Sequence, residues 1–192
     1  MDRCFQAILM LSTAGLSWLL MLAVHESGHV LHGWLSGAQL AGVHLPIFSL
    51  SRTDFAANPH PLFVAWGGPL WGCALPLAIL AATRCFAAKH HVYLLTCFAG
   101  FCVIANGAYL LGGAILNGGG DDGGVILQQG GSRWQLCAFG VVAVAAGLYL
   151  WNGLGPYFGL GPSRGRVDRR AAVGVAVALL VVVCLEALLA NH

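Results

Sequence analysis

Charge is what this chain has least of. Asp, Glu, Lys and Arg make up 8% of its 192 residues, against about 25% in a typical soluble domain, which excludes a soluble globular domain as its main body. The net charge of +2 is scattered over the connections between apolar segments, so no basic stripe for a nucleic acid exists. The seven cysteines, Cys4, Cys73, Cys85, Cys97, Cys102, Cys137 and Cys184, contain no C-x-x-C pair. They are read as small hydrophobes with no disulfide or thiolate-metal role. No internal repeat is present, which argues against a transporter built from two halves. Glutamate occurs only twice, at Glu26 and Glu186.

What the chain has in quantity is apolar sequence, 58% of its residues. Crossing a hydrocarbon core takes about 20 apolar residues, and five stretches qualify: 5–24, 62–83, 92–116, 134–154 and 171–190. The first four hold no Asp, Glu, Lys or Arg, and the fifth holds only Glu186. Backbone groups in lipid must be satisfied within the segment, so these spans are predicted to be helices. The predicted fold class is all-α, a polytopic transmembrane helix bundle of about five spans. Arg3 precedes the first span as in a signal peptide, but the apolar run is too long and lacks a small-residue cleavage site, so it is expected to be retained.

The first span leads directly into His25-Glu26-Ser27-Gly28-His29. Two His four residues apart lie on one face of a helix, one turn from each other, where both imidazoles can reach one metal ion. Glu26, beside the first ligand, can act as general base toward a water acidified by the cation. A surface helix carrying two His and a Glu is the plain alternative, but such residues at the end of a membrane-length segment are costly unless used. The helix is predicted to run to about Ser36 and stop at Gly37. His32 lies too far along the axis to share an ion with His25, since positions 25 to 32 span about 10 Å at 1.5 Å per residue, and is read as a supporting or interface residue. His44 and His60 are not at ligand spacing.

Residues 41–50 have the pattern of a short strand or hairpin, a β-like loop after the first span. Its edge could bind an unwound substrate by strand addition, and an ordinary capping loop is an equal reading. In the second span, Gly68 and Gly72 form a small-x-x-x-small face for a close neighbour. Pro69 breaks the helical hydrogen bonding and frees a carbonyl, so Gly68 and Pro69 are candidates for the wall of a substrate site. The third span contains Asn106 and runs into Asn117, three glycines, Asp121, Asp122 and Gly123-Gly124. Two His need a third protein ligand if the fourth position is to stay open for water, and Asp121 or Asp122 supplies it. Odd-numbered spans run the same way, so the ends of the first and third meet on one side. Two His and a carboxylate favour one zinc ion over magnesium or calcium.

The HExxH at His25 to His29, Gly68-Pro69 in the next span and Asp122-Gly123-Gly124 at the third resemble the site-2-protease family of intramembrane zinc metallopeptidases. The resemblance covers residues 5–130 and implies His25, His29 and Asp122 as zinc ligands and Glu26 as catalytic base. It also implies a three-helix metalloprotease core within 1–130, leaving two additional transmembrane helices in 131–192. Asn106 lies farther back than the Asn of the family pattern, and glycines stand where its prolines would be. Asn106 or Asn117 is therefore the candidate for holding a substrate strand.

The expected activity is hydrolysis of peptide bonds in or near transmembrane segments of membrane proteins. Two other readings fit the motif: a zinc-binding membrane protein that holds a transmembrane segment without cleaving it, and a zinc-dependent hydrolase of a non-peptide membrane substrate. Expected partners are the bilayer and a membrane-inserted peptide, with no nucleic acid, and the expected location is the cell membrane. Seven positive residues (Arg3, Arg84, Lys89, Arg164, Arg166, Arg169 and Arg170) fall on the amino-terminal side, against Arg52 and Arg133 on the other. The positive-inside rule puts that side in the cytoplasm, whereas the resemblance implies an active site nearer the cytoplasm.

Overall fold

The computed structural model describes residues 2–47, 49–86, 91–116, 121–163 and 165–189. The chain forms a helical bundle in which the only sheet among the described residues is a two-stranded hairpin. Helix α1 (Asp2–Ser36) is followed by strands β1 (Gln39–His44) and β2 (Arg52–Ala57). Helices α2 (Pro61–Phe86), α3 (Val92–Leu116), the short α4 (Asp122–Gln128), α5 (Arg133–Trp151) and α6 (Arg169–Leu189) complete the order. Five of them, all but α4, are long and apolar enough to cross a membrane. At 1.5 Å per residue the 35 residues of α1 reach about 52 Å, well beyond a hydrocarbon core of about 30 Å. His25 and His29 follow directly on the apolar run 5–24, toward the C-terminal end of the helix.

Helix α1 ends as its sequence requires. Gly37 takes φ +75°, its N–H donates to the Trp34 carbonyl, and the Ala38 N–H donates to the Gly33 carbonyl, the paired arrangement that closes a helix on a left-handed glycine. The chain then turns back along α1 as the hairpin. Its second strand begins at Arg52, beyond the predicted 41–50 stretch, because alternate residues of β2 have partners on α1. The Phe55 ring lies over Gly33, where a Cβ would collide with it, and Thr53 reaches Glu26.

The bundle is built by close approach of small residues, as lipid-embedded helices demand. Helices α1 and α2 meet where Gly28 faces the Gly67 carbonyl and Gly67 faces the Gly28 carbonyl, so neither position has room for a Cβ. Gly107 and Gly140 bring α3 and α5 together in the same way. Helix α5 packs on α3 and α6 on α1, so both C-terminal spans are fastened directly to the first three helices. Ile126 of α4 is fully buried among Ala65, Leu110, Ala114 and Leu136, which pins this seven-residue helix against α2, α3 and α5.

At the opposite end Gln6 donates to the Phe158 and Gly159 carbonyls, and Arg169 bonds Asp2. Arg3, Arg166 and Arg169 thus share the end remote from the hairpin, as the charge count expects, while Lys89 and Arg164 lie outside the described residues.

Candidate metal centre

Three donor atoms converge where α1, α2 and α4 meet. His25 and His29 are buried on one face of α1, and their Nε2 atoms lie 3.1 Å apart. Asp122 is the first residue of α4, and its Oδ2 lies 3.0 Å from His25 Nε2 and 3.3 Å from His29 Nε2. Of the two adjacent aspartates, Asp121 has a different task. Its extended backbone makes it the cap of α4, and its Oδ1 accepts the Gly124 N–H at 2.6 Å, satisfying a donor that the helix itself cannot. That bond engages Asp121 at the start of α4, and of the two carboxylates only Asp122 joins the converging donors. The Asp122 N–H in turn donates to the Tyr109 hydroxyl at 3.2 Å.

The other ring nitrogens decide what this cluster needs. Asn106 Nδ2 donates to the Cys102 carbonyl at 2.8 Å, which fixes the amide with Oδ1 toward His25 Nδ1 at 2.6 Å. His29 Nδ1 lies 2.8 Å from the Val64 carbonyl. Both partners are acceptors, so both Nδ1 atoms carry the proton and both neutral rings turn an unprotonated Nε2 toward Asp122. Three electron pairs facing one point repel one another unless a proton or a metal ion lies between them. The triangle has the size for one: ligands about 2.0 Å from a tetrahedral zinc are about 3.3 Å apart. Among the described residues this is the only group of three or more His, Cys, Asp or Glu so arranged.

Gly68 supplies the remaining space. A Cβ there would stand 2.6 Å from His25 Nε2 and closer still to His29 Nε2, in the space that an ion bound by both rings would use. The pattern Gly68-x-x-x-Gly72 reads as helix packing, yet Gly68 lies against the ligand atoms and Gly72 against the Asn106 amide. Pro69 is fully buried behind them. It gives Ala65 no helical N–H partner, and in the turn before it the Phe63 and Val64 carbonyls accept from His32 and His29.

Glu26 is 2% exposed and held from the hairpin. Its Oε1 accepts the Ser51 hydroxyl and its Oε2 the Thr53 hydroxyl, each at 2.6 Å. A carboxylate has about four lone-pair sites, so two remain for a reacting proton. Two cavities meet here, sharing His25, Glu26, Ser51 and Tyr109. One of about 270 Å³ is polar and includes Arg52, Asp54 and Asp122; the other, of about 250 Å³, is mainly apolar.

The structure thus brings His25, His29, Asp122, Glu26 and Gly68 together. Asn106, expected to hold a substrate strand, is 1% exposed, and its oxygen orients His25 instead. Asn117 lies outside the described residues. His32 is apart from the cluster, with Nδ1 donating to Phe63 and Nε2 accepting from Trp71. His44 pairs with Asp54 on the hairpin. Ser51, Thr53 and Tyr109 carried no signal in the sequence, since nothing in their local pattern marks a hydroxyl that will face a carboxylate from another element.

Orienting partners of metal-bound His are worth about 10- to 100-fold in affinity. Asn106→Ala is accordingly expected to weaken zinc binding by about that factor without abolishing it, as measured by competition with a chelator of known affinity.

The chain matches no protein-family model, and neither a characterised protein nor a solved structure is significantly similar to it.

Proposed function

We propose that this chain is an intramembrane zinc metallopeptidase of the site-2-protease type, hydrolysing peptide bonds in or near transmembrane segments at the cell membrane. The observation that carries the reading is a three-donor centre at the end of a membrane-length helix, with a buried carboxylate one residue from a ligand and a polar cavity leading to both. His25, His29 and Asp122 would hold the ion and leave a position open, the donor set of hydrolytic rather than structural sites. Zinc held there supplies Lewis acidity to a water and to a peptide carbonyl.

The chain's own residues do the rest. Glu26 takes a proton from the attacking water and returns it to the departing amide nitrogen. Ser51 and Thr53 hold the Glu26 carboxylate in place for both transfers. The Tyr109 hydroxyl accepts from the Asp122 N–H, which leaves its own proton to donate toward a carbonyl oxygen in the shared space. Asn106 and the Val64 carbonyl keep both imidazoles in the tautomer that binds metal.

The test is turnover by the zinc-loaded full chain in lipid nanodiscs, offered a pool of transmembrane peptides and, separately, a pool of phospholipids. Peptide fragments that appear with zinc and vanish on chelation support the reading. Release of lipid products alone would replace it with a non-peptide hydrolase. Binding of intact peptides without fragments would replace it with a holding protein.

A further inference from the structure

The apolar cavity beside the centre holds information about what is cleaved. It is lined mainly by Trp18, Met21 and Leu22 of α1, Ala105 of α3 and Leu50 of the hairpin connection, with Ser51 and Asn106 at its edge, and it opens onto His25, Glu26 and Tyr109. On the other side of the same residues the polar cavity carries Arg52, Asp54, Asn58 and Asp121. A chain lying across the centre therefore meets an apolar chamber on one side and a charged, water-compatible one on the other. We infer that the apolar chamber is a specificity pocket that takes one bulky apolar side chain, aromatic or branched aliphatic, flanking the bond to be cut.

The size is right for such an occupant. An apolar cavity of about 150 Å³ is enough to bind benzene, and this chamber has about 250 Å³. Most of its wall is apolar, and its polar members Ser51, Asn106 and Trp18 are already bonded to Glu26, to His25 and the Cys102 carbonyl, and to the Ile47 carbonyl, so burial of a charged or amide side chain there would be penalised. The chamber is not a detached groove in the lipid-facing surface, because two residues of the proposed chemistry, Glu26 and Tyr109, form part of its wall. Trp18 is fixed as one side of it by the hydrogen bond from its indole N–H to the Ile47 carbonyl at 3.3 Å, so the hairpin connection and α1 together set its width. The inference rests on the peptidase reading for the identity of the side chain's owner, and on the metal centre alone for the test.

That test uses hydroxamic acids, which anchor to a bound zinc whatever reaction the protein catalyses, with methyl, isobutyl or benzyl substituents next to the hydroxamate carbon. Dissociation constants are measured by calorimetry on the zinc-loaded full chain and on Ala105→Phe, which places a ring in the chamber. In the wild-type chain the benzyl compound is expected to bind about 10- to 100-fold more tightly than the methyl compound, the effect of burying one large apolar group. In Ala105→Phe that gain should disappear while the methyl compound still binds, which also removes partition into detergent as a cause. A flat series in the wild-type chain, or a gain that survives Ala105→Phe, overturns the pocket. A steep series in a protein that cleaves no peptide overturns the peptidase reading and keeps the pocket. A zinc-loaded chain that binds no hydroxamate overturns the pocket and the open metal position together.

Discussion

Glu26→Gln is expected to retain its zinc and lose hydrolysis by about 10²- to 10⁴-fold, the range that general-base catalysis contributes. The substitution is unusually clean because of how Glu26 is held. Its two oxygens accept from the Ser51 and Thr53 hydroxyls. Glutamine keeps one oxygen acceptor, and its NH2 can donate to the second hydroxyl, which rotates to accept. The hairpin therefore stays docked, and no buried group is left without a partner. Glu26 is not among the three converging donors, so the zinc content should be unchanged. What is lost is the basic lone pair, since an amide oxygen is far too weak a base to remove a proton from water. Side-by-side peptide turnover and elemental analysis of the two proteins check it. Turnover that persists in a zinc-replete Glu26→Gln protein removes Glu26 from the chemistry.

Gly68→Ala, a single added methyl, should lower zinc affinity by at least about 100-fold, more than the loss of an orienting partner costs. The Cβ would come within 2.6 Å of His25 Nε2 and closer still to His29 Nε2, so either the imidazoles swing aside or the ion is kept out. The fold is expected to tolerate this far better than the site does. Alanine in place of glycine inside a helix gains about 1 kcal/mol, which offsets part of the roughly 1–3 kcal/mol that local overpacking costs. The signature is a folded protein with a near-normal melting temperature in the absence of metal and little zinc after dialysis. A Gly68→Ala protein that binds zinc normally would show that the space over Gly68 is not the ion's.

Much of this arrangement was legible in the residues because lipid restricts what a chain can do. Apolar runs of membrane length can only be helices; four of the five appear within three residues of the ends expected for the span, and the first runs past its apolar stretch to Ser36, as its sequence predicts. His25 and His29 were legible from their spacing, because four residues on a helix always place two rings on one face. Asp122 was singled out by the family resemblance, whereas the residues alone left it one of a pair. The capping geometry that commits Asp121 to the Gly124 N–H depends on where α4 starts, and a seven-residue helix is too short to show periodicity. Gly68 was legible as a candidate for the site wall but not as the residue lying against the two imidazoles, since a small residue facing a helix and a small residue facing a side-chain cluster leave the same mark. The hold on Glu26 was invisible because it depends on the register of β2 against α1, which alternation alone does not give. Asn106 was expected to hold a substrate strand, but its partner His25 lies 81 positions away, and only the packing of α3 on α1 brings the two together.

The most direct measurement is zinc per chain by elemental analysis of purified wild type, His29→Ala, Asp122→Ala and Asp121→Ala. Three converging donors predict about one zinc in wild type and little in His29→Ala or Asp122→Ala. Asp121→Ala should stay near wild type, because its carboxylate caps α4 and does not face the centre. Zinc that stays bound in Asp122→Ala and is lost in Asp121→Ala would contradict the assignment of the third ligand, and wild-type protein that binds no zinc would contradict the centre itself.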